Sequence, residues 1–320
     1  MKDVSAYDAL IVVTAKDYRR VARHYKRILQ DLPAKRVTVV GSEEVLSEMM
    51  KDDLPDEFTF IDENAILPFD AVYEAISERM AEVLAGRELP RGIAGWYYQQ
   101  FLKMSYADYC ADDYYMVWDG DTIPCHPFSM FSEQGKPYLD VKNEYVPAYF
   151  STMEKLIPGL TKLIGPSFIS EHMLFRTKLM QELLEKIEAN DEIPGQIYWQ
   201  KILNVLTPEE LQTNSFSEFE TYGSYMALAH ADVYRLREWH SFRLGAEFFD
   251  VDTICDRDFA WLGRDFDAIS FEKNLTVRED HKNLFDNPEY QAKMSARQML
   301  ENAQKEFKEG NIEKWGMLGN

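Results

Sequence analysis

The sequence predicts an α/β fold, with one catalytic-size domain over residues 1–265 and a C-terminal helical extension over 266–320 packed on it. Three observations predict it. Two β-branched apolar runs, Ala9–Thr14 (ALIVVT) and Arg36–Gly41 (RVTVVG), flank a polar, basic stretch. Strand, helix and strand over about thirty residues make the βαβ unit of a parallel sheet. A third apolar run, Tyr114–Trp118 (YYMVW), ends in Asp119-Gly120-Asp121. Near the end, Asn287-Pro288 is a helix-start signal, with Asn as N-cap and Pro at the first helical position.

The elements follow in order. Ala9–Thr14 suits a buried strand, and Lys16–Gln30 a helix, before the second strand at Arg36–Gly41. Gly41 to Asn64 carries nine acidic residues and one lysine, which marks a solvated face with a short strand at Phe58–Asp62. Ala71–Ala85 spaces Val72, Ile76, Met80 and Val83 as a helix does. Gly95–Tyr109 is a further helix, leading into the strand Tyr114–Trp118. Beyond it, Tyr138–Val141 and Ser167–Met173 read as strands, Arg176–Ile187 and Glu218–His230 as helices, and Asp232–Arg237 as a late strand. The closing helix places Tyr290, Met294, Leu300, Ala303 and Phe307 on one stripe, ordinary amphipathic packing.

Composition narrows the function. Hydrophobic residues make up 46% of the chain, enough for a sizeable core, so the chain is not of the disordered class. Lys and Arg number 35 against 55 Asp and Glu, a net charge of −20. That balance argues against sequence-independent nucleic-acid binding and against holding anionic lipid by charge. Cys110, Cys125 and Cys255 are scattered and odd in number, which fits a reducing compartment better than a disulfide framework. The N-terminus lacks the pattern of a signal peptide and no apolar run spans a membrane, so the expected location is cytoplasmic. Peripheral membrane association through a partner is compatible with this.

Asp119-Gly120-Asp121 is the sharpest feature. A buried strand delivers both carboxylates to the C-terminal edge of a sheet, where open α/β sheets bind ligands. Two carboxylates at i and i+2 around a glycine can turn toward one centre. Mg²⁺ and Mn²⁺ prefer such oxygen ligands and leave positions for phosphate oxygens. The plainer account is a D-G turn. A rival chemistry is an Asp-nucleophile phosphatase, which carries Asp-x-Asp-x-Thr after a strand. Here Ile123 stands four after Asp119, and threonine comes one residue early at Thr122.

Five segments carry a family resemblance: ALIVVTAKDY (Ala9–Tyr18), GWYYQQFLK (Gly95–Lys103), VWDGDTI (Val117–Ile123), FISEHM (Phe168–Met173) and SEFETYG (Ser217–Gly223). On them the chain resembles GT-A-type glycosyltransferases, and is most similar to a bacterial glycosyltransferase-like family with a D-x-D motif. The first and third segments are generic to the fold, and the other three are more distinctive. The resemblance implies a GT-A-like, Rossmann-type fold. It also implies a metal held by Asp119 and Asp121 on the diphosphate of a nucleotide sugar.

The same resemblance assigns further residues. Thr14 and Asp17 would meet the nucleoside, although either suits a helix cap. Gln99 or Gln100 would bond a base or ribose, and Lys103 would approach the diphosphate as a point cation. His172 would lie on the acceptor side, against the plain reading of a satisfied structural histidine. Glu218 and Glu220 are candidates for the base that takes the acceptor hydroxyl's proton. Ser217 and Glu220 also fit a capping box, as do Ser215 and Glu218. With Ser217 as the cap, Glu218 is the glutamate left for chemistry. A late histidine often completes the metal set in such enzymes; the resemblance does not fix which one, and His240 is the natural candidate and His230 the alternative, against the plain reading of a surface basic stretch. Arg237 and Arg243 flank His240 and would neutralise the leaving diphosphate.

There is no P-loop, no G-x-G-x-x-G after the first strand, no G-x-S-x-G and no H-E-x-x-H. The arginine loop that resembles sugar nucleotidylyltransferases is absent too. The expected function is metal-dependent transfer of a sugar from a nucleotide-diphosphate donor to a glycan or lipid-linked acceptor, using Mn²⁺ or Mg²⁺. The alternatives are the Asp-nucleophile phosphatase and a non-catalytic nucleotide-sugar-binding protein.

Overall fold

The structure is a computed structural model and describes residues 7–32, 34–272 and 275–301. Its strands are β1 (Asp8–Val12), β2 (Arg36–Gly41), β3 (Phe58–Asp62), β4 (Tyr114–Trp118), β5 (Thr122–Pro124), β6 (Tyr138–Val141), β7 (His172–Arg176), β8 (Arg235–Glu238), β9 (Ser241–Phe242) and β10 (Ala268–Ser270). The main sheet runs β3-β2-β1-β4-β7. Its first four strands are parallel, and β7 closes the edge antiparallel to β4. Two small sheets, β5-β10-β9 and β6-β8, flank it. The fold is mixed α/β with a parallel-rich central sheet, as expected.

Strands β1, β2, β4 and β7 are buried on both faces, which is why they read as near-continuous apolar runs, while the edge strand β3 is half-buried. Side chains alternate across β4: Tyr115 and Val117 enter one core, Met116 and Trp118 the other. The first core takes helices α1 (Arg91–Ser105), α2 (Thr177–Glu188) and α3 (Glu218–Ala229). The second takes the N-terminal helices and the segment that follows β10.

Several boundaries move. The expected helix Lys16–Gln30 is broken by a 3₁₀ turn at Ala22–His24. The expected helix Ala71–Ala85 breaks at Met80. The strand expected at Ser167–Met173 forms later, as β7. The reason is Glu171, whose φ of 61° is left-handed and incompatible with a ladder. The late strand begins at Arg235 rather than Asp232. Asn287 does cap a helix, its side chain accepting the Glu289 N–H, but that helix ends at Gln291. A new one starts at residue 296 behind a reciprocal cap between Ser295 and Gln298. Ala303 and Phe307 lie outside the described residues.

The expected boundary between 265 and 266 does not separate two layers. β10, in the expected extension, is the middle strand of the sheet that holds β5. Phe271, Phe285, Ala296, Met299 and Leu300 belong to the second core. Among the described residues no helix is long and apolar enough to cross a membrane.

Candidate functional site

Strand β4 ends in the acidic pair, and the turn after it is fixed from four sides. The Thr122 N–H donates to the Asp119 carbonyl (3.0 Å), closing the D-G turn. The Asp119 N–H donates to the Glu171 carbonyl (2.9 Å), and the Phe271 N–H to the Asp121 carbonyl (2.8 Å). The Tyr25 hydroxyl donates to the Gly120 carbonyl (3.2 Å). A side chain at 120 would press on Ile11, Val13 and that hydroxyl at 3.1–3.3 Å, so each would have to give by a few tenths of an ångström. The turn and the delivery of two carboxylates to the sheet edge are therefore one structure.

The two carboxylates differ. The Asp119 carboxylate accepts from the Lys103 ammonium at 2.8 Å. Among the described residues the Asp121 carboxylate has only a long contact from the Thr122 hydroxyl, 3.4 Å. Burial first, and the Asp119 charge second, push the Asp121 carboxyl up to about 7. Arg20 opposes that rise, while Glu272 and Asp17 add to it. The centre thus carries more negative charge than its own cations balance.

Lys103 is buried on α1 and also donates to Glu218 at 2.8 Å. Burial disfavours its charge, but the two carboxylates outweigh burial and hold it protonated. Lys103 is therefore spent on Asp119 and Glu218 and is not a free cation for a diphosphate. Gln100, expected to face a base or ribose, is buried and caps α3 by accepting the Glu218 N–H (3.0 Å). Gln99 is half-buried, and among the described residues its side chain has no hydrogen bond.

The three expected acceptor-side groups are all shut away. Glu218 is 4% exposed, Glu220 1% and His172 1%, too little for any of them to meet an acceptor hydroxyl. Ser217 does cap Glu220, as expected. Glu218 is not thereby set free, because it pairs with Lys103. The Glu220 side chain does not close the box either; it accepts from the Ser167 hydroxyl (2.6 Å) and the Phe168 N–H (3.1 Å). His172 faces Asp140 at 2.8 Å with Nε2 and the Ser170 carbonyl at 2.8 Å with Nδ1. It is a structural histidine.

Two further expectations are corrected. Arg237 grips the same Asp140 with two bonds of 2.5 and 2.7 Å, so it is spent on structure. His240 is exposed on a segment tied to Asp267 by backbone bonds. Among the described residues no group of three His, Cys, Asp or Glu is placed to hold a metal ion. His240 is thus not gathered with Asp119 and Asp121, and His230 lies against Glu182 at the end of α3 (3.3 Å). Thr14 and Asp17 form the cap of the first helix. The Asp17 N–H donates to the Thr14 oxygen (3.3 Å), and the Thr14 hydroxyl donates to the Asp17 carboxylate (2.7 Å). Asp17 also pairs with Arg20 (3.0 Å), which keeps it at the rim of the acidic centre.

The sequence reading missed Glu171 as a site residue. It is buried, and its carboxylate takes Lys142 at 2.7 Å, the Ser241 hydroxyl at 2.8 Å and Arg243 at 3.4 Å. Arg243 also reaches Glu144 (3.4 Å) and Glu272 (3.6 Å), and with these partners its charge is held firmly. Buried left-handed backbone at a non-glycine residue costs energy and collects at functional sites. No sequence signal announces it.

Fold and site together define an α/β protein with an under-neutralised acidic centre at the carboxyl edge of a parallel sheet. The chain belongs to the family of unknown function DUF6492, whose model matches residues 5–287. No curated protein matches it. Among solved structures it is similar to mouse xyloside xylosyltransferase 1, at 13% identity over 85% of this chain and 100% of that one, TM-score 0.40. It is also similar to the galactosyltransferase LgtC in complex with donor and acceptor sugar analogs, at 14% identity over 82% and 86%, TM-score 0.40. A third is the glycosyltransferase GlyE of Streptococcus pneumoniae TIGR4, at 12% identity over 94% and 64%, TM-score 0.38.

Proposed function

We propose that the protein is a metal-dependent glycosyltransferase that moves a sugar from a nucleotide-diphosphate donor to a hydroxyl acceptor on a glycan or lipid-linked precursor. The observation that carries this reading is the Asp119-Gly120-Asp121 turn. It presents two carboxylates at a sheet edge, one of them pushed up to about 7 by burial and by its neighbour. Of the two, only Asp119 pairs with Lys103, and among the described residues Asp121 has no ion pair. Two carboxylates are a fitting partial set for Mg²⁺ or Mn²⁺, which keep positions for water and phosphate oxygens. Asp119 and Asp121 would hold the ion, which as a Lewis acid neutralises the charge on a leaving diphosphate.

The chain's own residues have supporting roles. Lys103 orients Asp119, and Glu218 holds Lys103 in place, a positioning role that replaces the base role expected for Glu218. Tyr25 and the Glu171 carbonyl fix the turn. Thr14, Asp17 and Gln99 remain candidates for contact with the donor nucleoside. Arg20 and Arg243 bring positive charge to an otherwise acidic rim.

The test is a thermal-shift panel of nucleoside diphosphates and nucleotide sugars, with and without Mn²⁺, on wild type and on Asp119→Ala/Asp121→Ala. A shift specific to one donor that needs the metal and vanishes in the double variant is expected. No shift with any nucleotide overturns the reading.

A further inference from the structure

A cavity of about 320 Å³ opens beside the acidic centre, lined by Lys142, Asn143, Trp239, His240, Ser241 and Arg297 among others. It lies at the small end of ligand pockets, which run to about 300–1,000 Å³, so it suits one sugar or one head group rather than an oligosaccharide. A single residue separates it from the turn. Lys142 and Ser241 in its wall both bond the Glu171 carboxylate, and the Glu171 carbonyl takes the Asp119 N–H.

The wall carries Lys142, Arg297 and His240 beside one lining carboxylate, Glu238; behind it Glu171 takes Lys142, and the Asp265 and Asp267 carboxylates accept the backbone N–H groups of Arg297 and His240. The Arg297 guanidinium bonds the Asp265 carbonyl (3.3 Å) and lies over the Phe266 ring. Among the described residues it has no carboxylate partner. The His240 ring has no hydrogen bond among them either. Trp239 is 3% exposed, and its indole N–H is buried with no acceptor among the described residues. Packing fixes the indole, with the His172 ring at 4.3 Å and the Phe128 ring at 5.1 Å. That N–H is closed off from solvent, so the indole meets the cavity as an apolar wall and not as a donor.

We infer that this cavity binds an anionic group, a carboxylate or a phosphate, and that the group belongs to the acceptor. The second half rests on the glycosyl-transfer reading; the first does not. An arginine whose guanidinium has no carboxylate partner among the described residues calls for an anionic ligand. Arg297 supplies the charge not already neutralised, since Lys142 is held by Glu171. His240, expected on the metal, serves here instead.

The experiment is calorimetric titration of the metal-free, nucleotide-free full chain with glucuronate, glycerol 3-phosphate and neutral glucose. At least one anion binds and glucose does not. Preference for glucuronate assigns a sugar carboxylate, and preference for glycerol 3-phosphate assigns a phosphate. Arg297→Ala weakens the anion by at least about tenfold, the scale of a charge-assisted bond. Glu238→Gln tightens it by about threefold, a gain that damaged folding cannot mimic. Glucose binding as tightly as the anions, or affinity unmoved by both variants, overturns the site. So does the absence of any anion binding with Kd below about 10 mM. A positive titration beside a failed nucleotide panel sinks the transferase reading and leaves the cavity; the converse sinks the cavity alone. With the donor named, the preferred anion's hydroxyl is glycosylated in a transfer assay, and binding without transfer overturns the acceptor assignment.

Discussion

Asp121 carries a charge that its surroundings oppose. Its carboxyl is pushed from an ordinary 3.8 to about 7, first by burial and then by Asp119. The folded state therefore holds this proton more tightly than the unfolded state, and stability falls as pH rises from about 4 to about 7. Asp121→Asn removes the opposed charge. It raises the Tm, least near pH 4 and most above pH 7, by the equivalent of about 1–2 kcal/mol once solvent screening of a half-buried group is allowed for. The same change abolishes the metal-dependent donor shift. Thermal melts from pH 4 to 8 check it; a flat or reversed pH trend refutes the assignment. A residue that destabilises its own fold yet closes a tightly fixed turn is what a binding site produces. This pair was legible in the sequence because a buried strand points at it. Glu171 was not, since a left-handed glutamate looks like any other in a string of letters.

Between elements, one buried lysine joins the end of β4 to the start of α3. Lys103 lies 16 residues from Asp119 and 115 from Glu218, and takes both carboxylates at 2.8 Å. Lys103→Met strands Glu218 as a buried, unpaired charge and costs about 3–5 kcal/mol. Lys103→Met/Glu218→Gln recovers much of that, because the stranded charge is gone. Urea unfolding of the two variants and wild type measures the coupling, and equal losses in the two variants would remove the proposed link. Pairing over such separations explains the wrong base. Local spacing identified Ser217 as the cap, but nothing local reports a lysine on another helix or the Ser167 hydroxyl that takes the Glu220 carboxylate. Likewise β2, β3, β4 and β6 have the bounds their apolar runs predict. The strands β5, β9 and β10, of two or three residues, are too short to show a period.

At the scale of the whole molecule, the expected division at residue 265 meets a sheet and a core that cross it. β10 pairs with β5 on one side and β9 on the other, and β5 begins where the acidic turn ends. The Phe271 backbone holds Asp121 through its N–H and receives Arg20 through its carbonyl. Further on, Trp261 donates to the Met294 carbonyl (2.8 Å), and Gln291 donates to the buried Asp258 (2.7 Å). We propose that residues up to 301 form one folding unit with the site. A chain ending at Asp265 loses Phe271, Phe285, Met299 and Leu300 from the second core. At about 2–5 kcal/mol for each large apolar side chain removed, the loss matches or exceeds the roughly 5–15 kcal/mol by which domains are stable. The truncated chain has no cooperative thermal transition, binds a hydrophobic dye, and shows no donor shift with Mn²⁺. Calorimetry on the truncated and full chains decides it. A truncated chain that melts cooperatively within a few degrees of the full one would make the C-terminal segment the separable extension that the sequence suggests, and would leave Asp121 held by its own strand alone.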